Sequence, residues 1–347
     1  MKKTIFSTIL FLIFILFISV TYLSFFGLET KRFNQMIKNE IKKNNKDIKL
    51  NFEKISVLLD IKNLTLFIKF IEPKIYYENV GIPLNYLRTD VSFASIINKS
   101  ISIKKIQLSS NEFKFKTIKP ILKKIELNDE NLKIIKKANF QIKNLELELD
   151  QNLKFKKNYI ISGKIKDAYL KISKKYELIK LNTNFMFKEN YLNFSNSSWV
   201  LKANENTKND FFNGEIDIKK INKDYGINFN LETRDITNLF NISAMNFSFL
   251  PGRIVNIKSN FIFKKNKEIY FSDISIVDDL NKFVISDLIL DKKFLLKNFK
   301  SIEIKTKTGK EINNDFKIIN KKKQILIRGK VFDAKNIIKE ISNKNKN

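Results

Sequence analysis

Residues 101–108 carry four apolar side chains, Ile101, Ile103, Ile106 and Leu108, spaced two, three and two apart. Phe113 and Phe115 follow. The same rhythm recurs at Leu50, Phe52, Ile55 and Val57, and at Phe140, Ile142, Leu145 and Leu147. It recurs again at Ile269, Phe271, Ile274 and Ile276, and at Phe283, Ile285, Leu288 and Leu290. Side chains of this type do one kind of chemistry: they leave water and pack against other hydrocarbon, at about 25 cal/mol per Å². Residues for covalent chemistry are scarce. With no His and no Cys, the usual zinc, haem and iron–sulfur ligands and the common nucleophile–base pairs are missing. Carboxylates are present, but no spacing picks out an acid/base pair, and there is no Gly-rich phosphate loop. The reading is therefore of a protein that is not an enzyme, with no cofactor and no metal.

The elements that position these residues are strands. Neither a plain strand nor a helix gives a two-three-two spacing. A single extra residue in a strand flips every later side chain to the other face. A β-bulge absorbs that residue, bends the strand and keeps the apolar set on one side. The competing reading is a tight corner between two strands. Period-two stretches rich in Ile, Phe and Val run through the chain from Asp47, among them LTLFIKF at 64–70, FQIKNLELEL, GINFNLE and QILIRGKVF. They number about twenty, as half-buried strands should read. Helix-like interruptions are few: 94–97, 118–124, 235–240 and 334–341. With so few crossover helices the sheet must be antiparallel. The expected fold class is mainly β: an N-terminal transmembrane helix, then an elongated, curved antiparallel sheet with a few short helices.

Residues 4–28, TIFSTILFLIFILFISVTYLSFFGL, carry no charge. At about 1.5 Å per residue they are long enough to cross a bilayer with some tilt. A cleaved signal peptide needs a shorter apolar region and a small-residue cleavage site. None is seen here, so 1–28 reads as a retained signal anchor. In ETKRFNQMIKNEIKKN, Phe33, Met36, Ile37 and Ile41 share a helical face, giving a short amphipathic helix within 29–46 that packs on the end of the domain.

A net charge of +29 invites a nucleic-acid reading. Arg occurs at only five of the 65 basic positions, whereas bidentate readers of bases and phosphates favour Arg. Lys, Asn, Ile and Phe are all abundant and all encodable from A and T alone, so genome bias accounts for the Lys excess. No nucleic-acid partner is expected. Anionic membrane surfaces remain attractive to such a chain.

The order of these elements resembles the AsmA-like superfamily of bacterial envelope proteins, in particular its YhdP- and TamB-type members. A membrane helix leads to KRFNQMIKNEIKK, then to the strands IKLNFEKISVLL and NLTLFIKFIEPKI. LRTDVSFASIINKSISIKKIQLSSNEFKF comes next, in which Ser95, Ile96 and Ile97 match the family's small-plus-aliphatic turn. Near the C-terminus, Gly329, Phe332, Asp333, Ala334, Ile337 and Ile338 resemble a recurring strand–helix element of the large members. Those members are several times longer than this chain. The resemblance implies a U-shaped β-groove domain over 47–347, ending in a short helix, that projects into the periplasm of a Gram-negative bacterium from a single-pass inner-membrane anchor. It implies phospholipid acyl chains as cargo, moved between envelope membranes or for outer-membrane homeostasis, with other envelope proteins as further partners. The lipid-lining residues would be Leu64 and Leu66 together with the two-three-two sets above, Phe113 and Phe115, all on the concave face. About twenty strands at 4.8 Å would make a trough of roughly 95 Å. The alternative is a non-catalytic envelope scaffold or outer-membrane assembly factor with a closed β core.

If 1–28 is a retained anchor, N-terminal sequencing or intact mass of the mature protein will include residues 4–28. A mature start beyond residue 20 would overturn that reading.

Overall fold

The computed structural model describes residues 2–44, 47–62, 65–77, 80–91, 103–124, 129–150, 156, 158–172, 176–203, 209–234, 254–263, 268–291, 296–308, 310–321 and 324–333. The chain is mainly β, with antiparallel strands and few helices. Where the sequence reads as one β domain from residue 47, contacts divide the chain into two compact units. The first holds 1–166 and 186–189; the second holds 167–185 and 190–347.

The first unit opens with α1 (Lys2–Phe25), β1 (Leu28–Thr30) and α2 (Asn34–Asn44). The helix boundaries are thus tighter than 1–28 and 29–46, and a short strand separates them. Side chains in α1 are described at 7 and 9–25. Among the described residues no helix is long and apolar enough to cross a membrane. The hydroxyls of Ser19, Thr21 and Ser24 donate to the carbonyls of Ile15, Phe17 and Val20, each at 2.8 Å, so the helix satisfies its own polar side chains. Gly27 ends it. Its N–H donates to Tyr22 O at 3.1 Å, and its φ of +71° is left-handed, as a helix C-terminus favours. There the backbone lies so close to Ser56 that a Cβ would sit 2.6 Å from its Oγ. In α2, Ile37 is buried with Ile41 packed beside it, and Lys42 and Lys43 occupy the last turn, where cations complement the helix dipole.

The strands of this unit are β2 (Ile48–Asn51), β3 (Ile55–Asp60), β4 (Thr65–Phe70), β5 (Lys74–Tyr77), β6 (Val80–Val91), β7 (Ile103–Ser110), β8 (Phe113–Lys114) and β9 (Ile135–Glu148). Between β8 and β9 lie α3 (Phe115–Lys124) and α4 (Asp129–Ile134). Pairing is antiparallel in the order β1, β3, β4, β6, β7, β9. The start of β6 pairs instead with β5, which pairs with β2. A twelve-residue strand therefore serves two sheets, and the core lies between them. That core holds Leu50, Phe52, Ile55, Phe70, Leu84 and Leu87 under Ile37 of α2.

β10 (Ile160–Lys171) and β11 (Tyr176–Lys188) come next in sequence. The second unit then continues with β12 (Tyr191–Ala203), β13 (Asp210–Ile221), β14 (Asp224–Thr233), β15 (Val255–Phe263), β16 (Ile269–Val277), β17 (Lys282–Leu290), β18 (Leu296–Asn298), β19 (Ser301–Thr308), β20 (Glu311–Lys321) and β21 (Gln324–Val331). From β12 onward each strand pairs antiparallel with its neighbour in sequence; β18 and β19 both pair with β17. It is a meander, and short hairpins suffice to connect it. At Ile221–Asp224 the turn is two residues, Asn222-Lys223, with Asn222 at φ +57°, as tight hairpins favour. Among the described residues this unit contains no helix.

Bends within strands sit on residues with positive φ. Asp167 in β10, Lys180 in β11, Asn196 in β12 and Asp287 in β17 lie between +47° and +53°. At Gly214 in β13, φ is +149°, and a Cβ would fall on the backbone oxygen of Asn230. Gly214→Ala should therefore cost about 1–3 kcal/mol, read as a lowered urea midpoint with an unchanged slope. An unchanged midpoint would show that the bend does not need glycine.

Candidate functional site

The two-three-two sets fall into three structural kinds. The first, at Leu50 to Val57, is not one bulged strand. Leu50 ends in β2, Phe52 lies in the connection, and Ile55 and Val57 belong to β3, so the corner reading holds there. Ile55 is 1% exposed. Leu50, Phe52 and Ile55 are covered by α2 rather than lining an open surface.

A second kind is a bulge on one strand. Asp90 faces Lys105 and Val91 faces Ile103, so Lys104 is the extra residue on β7. Ile103, Ile106 and Leu108 then stand opposite Val91, Thr89 and Leu87, alternate residues of β6, and hence on one face. Ile101 and Leu64 lie outside the described residues, as do Ser95–Ile97, Ala334, Ile337, Ile338 and the helix-like stretches at 94–97, 235–240 and 334–341. Leu66 of β4 faces Val91 and extends the same apolar face.

In the third kind both partners take the extra residue at one level. Leu108 faces Leu145, and five residues on, Phe113 faces Phe140. Register is therefore kept through the break. Ser110, fully buried, accepts the N–H of Ile142 at its Oγ (2.9 Å), filling the gap in the ladder. Leu147 faces Ile106. Phe113, Phe115 and Phe140 form an aromatic cluster, with ring centroids 6.2 and 6.3 Å from Phe140. Phe115 is the first residue of α3 rather than part of a strand.

The strands β16 and β17 show the same device. Ile269, Phe271, Ile274 and Ile276 face Leu290, Leu288, Ile285 and Phe283. The three-residue gaps hold Ser272-Asp273 and Ser286-Asp287, opposite one another. Asp287 takes the left-handed conformation, which a short polar side chain tolerates. Its carboxylate accepts from the Tyr270 hydroxyl (2.5 Å) and lies 3.4 Å from Lys300 Nζ. The Tyr270 hydrogen bond, supported by Lys300, holds Asp287 below the usual carboxylate range. In the same way Asp217 holds the Tyr191 phenol in its protonated form, raising its pKa.

Registers through the second unit align into transverse rows. One runs Phe194, Ile216, Phe229, Ser259, Ile274, Ile285, Ile302, Ile318, Ile327, one residue from each of nine strands. A flanking row runs Leu231, Ile257, Ile276, Phe283, Ile304, Phe316. At about 4.8 Å per strand the nine-residue row is about 38 Å long. Most of its members are half-buried, and at the last strand Ile327 is 58% exposed. Leu201, Phe212, Val255 and Ile257 form a buried cluster, with the Trp199 ring stacked on Phe212 at 5.7 Å.

The opposite face alternates Glu215, Asn230, Lys258, Ser275 with Asp217, Asn228, Asn260, Asp273. A concavity of about 570 Å³ is lined by these residues together with Phe229, Ser259 and Val284. Spacing reports which residues share a face, but not which way that face curves. The Ser-Asp pairs in the gaps were the available signal for where the bends occur. Among the described residues no group of His, Cys, Asp and Glu forms a metal site.

In the first unit, Glu146 lies 2.5 Å from Lys105 Nζ and accepts from Gln107 at 3.0 Å. The Lys105 hydrogen bond lowers its pKa, helped by Gln107. A carboxyl with a lowered native pKa adds stability above its unfolded pKa of about 4.3, and that stability is lost as pH falls through the native value. The wild type minus Glu146→Gln stability difference should therefore be full near pH 6 and shrink below about pH 4.3, as measured by paired urea titrations. A pH-independent difference would contradict the pairing.

No family model, curated protein or solved structure matches this chain.

Proposed function

We propose that this is a membrane-anchored, non-catalytic β-trough protein of the AsmA-like kind, which carries phospholipid acyl chains across the periplasm between envelope membranes. The observation that carries the reading is the set of aligned apolar rows. One crosses nine strands with Ser259 as its polar member, the flanking row crosses six, and most of their side chains stay half-buried. A bilayer core is about 30 Å thick, so one acyl layer is about 15 Å, and a row of about 38 Å exceeds two such lengths. Each methylene transferred onto the rows gains about 0.8 kcal/mol. Neighbouring positions along a row offer similar gains, so a chain can move without covalent chemistry.

The anchor is α1. Its 24 residues extend about 36 Å at 1.5 Å per residue, and the uncharged run continues to residue 28. Large apolar side chains are exposed on successive positions, including Phe11, Leu12, Leu16 and Phe17. A helix apolar on every side is at home in lipid. The scaffold alternative draws on the first unit, where α2 closes a core of its own.

Ile285, mid-row and half-buried, separates the readings. With an open trough, Ile285→Asp can turn its carboxylate to water, so the fold survives while the apolar lining is broken. Thermal melting should move little, and photo-crosslinking of reconstituted protein to an acyl-labelled phospholipid should fall several-fold. Gross unfolding would favour a closed scaffold, where an unpaired buried charge is costly. A folded variant with normal crosslinking would refute the trough.

A further inference from the structure

At the exit of α1 and the start of α2 several large apolar side chains are exposed. Phe25 and Phe26 are 76% and 72% exposed, and Leu28, Phe33 and Met36 also stand in solvent. Tyr22 stacks on Phe26 at 5.4 Å, so the last turn of α1 ends in three aromatic rings. The sequence reading puts Phe33 and Met36 on the buried face of α2 beside Ile37 and Ile41. Instead, Ile37 and Ile41 pack into the core, and Phe33 and Met36 point away from it. Met36 and Lys43 are seven apart and therefore lie along one stripe of the helix.

Charge around the patch has one dominant sign. Lys31, Arg32, Lys42 and Lys43 are exposed. Of the nearby carboxylates, Glu29 lies 2.5 Å from Lys54 Nζ and Glu53 lies 3.7 Å from Lys31 Nζ. The α2 sequence NQMIKNEIKKN adds one carboxylate, Glu40, against Lys38, Lys42 and Lys43. Aromatic rings followed by cations, placed where an apolar helix ends, are the composition of a membrane–water interface.

We propose that this collar, formed by Phe25, Phe26, Leu28, Phe33 and Met36 with Arg32, Lys42 and Lys43, beds into the headgroup region of an anionic bilayer, so that α2 lies on the membrane and fixes the first unit against it. The occupant is lipid because Phe25, Phe26 and Leu28 follow directly along the chain from α1, the proposed anchor; the inference rests on that reading. Gly27 makes the arrangement stiff. Its backbone packs directly on β3, and Leu28–Thr30 pair at once with Ile55–Val57. A helix tied to a sheet with no slack holds the adjoining surface at one depth.

The absence of native Cys gives a clean test. Full-length protein with one Cys, from Phe14→Cys, Phe33→Cys, Met36→Cys or Asn256→Cys, is labelled with an environment-sensitive dye. Each is reconstituted into vesicles of phosphatidylethanolamine with phosphatidylglycerol, or of phosphatidylcholine alone. Quenching by lipid-borne nitroxide is compared with quenching by aqueous iodide. The expected result is strong nitroxide quenching at 14, several-fold more nitroxide quenching at 33 and 36 than at exposed Asn256 of β15, and a further gain at 33 and 36 in the anionic vesicles. Nitroxide quenching at 14 with iodide quenching at 33 and 36 would overturn the collar while leaving the anchor intact. Iodide quenching at 14 would remove the anchor and the collar with it. Equal quenching at 33 and 36 in both vesicle types would overturn the role of the cations.

Discussion

Side chains on a strand alternate between faces with a period of two, and a strand that bends must usually take on an extra residue. Taken carelessly, that residue sends every following apolar side chain to the wrong side. This parity constraint shapes both units. Two solutions are visible. At Lys104 of β7 one strand alone carries the extra residue, and the register with β6 slips by one. Between β16 and β17 both partners carry it at the same level, and the register is unchanged from Ile269–Leu290 to Val277–Lys282. Either way the hydrocarbon stays together. The transverse rows persist because each extra residue is absorbed without moving the apolar set to the other face.

What differs between the units is what covers the apolar face. In the first, α2 lays Ile37 across Leu50, Phe52 and Ile55, and side chains complete the core. In the second, no helix is present among the described residues, and the rows rely on cross-strand contact. Such pairs contribute roughly 0.2–1 kcal/mol each, less than full burial of an Ile or Phe side chain at about 1.5–3 kcal/mol. The difference is apolar area still in contact with water. A protein that leaves such a surface open retains free energy for whatever later occupies it, and a hydrocarbon chain needs no polar partner to take it up.

The strands themselves were easy to read, because Ile, Phe and Val at period two announce a half-buried sheet. The paired devices were legible too: Ile269 to Leu290 shows the same stutter twice, and the two copies face each other. Leu50 to Val57 has the same spacing with a different cause, since a turn through Phe52 and a bulge can each insert one residue. Phe115 looked like strand because Phe113 precedes it at period two, yet a helix begins there and brings its ring onto Phe140. Curvature was the least legible property. Left-handed residues such as Asn196 and Asp287 sit inside strands. Residue class does not reveal which way the backbone bends there.

The large positive charge follows the same parity. In the second unit, the cross-strand ion pairs Lys282–Glu303 at 2.8 Å and Lys305–Asp315 at 3.4 Å belong to strands whose alternate residues, Phe283, Ile304 and Phe316, form an apolar row. Charge and hydrocarbon occupy adjacent positions along each chain and opposite faces of the sheet. A one-residue slip would put lysines among isoleucines, where desolvating them is costly. Lysine on the polar face thus acts against a slipped register. It costs little while each ammonium stays in water, and it penalises every pairing that would carry one across. A chain with few glycines and prolines to mark its turns can still hold one register over many strands, because both faces reject the alternative.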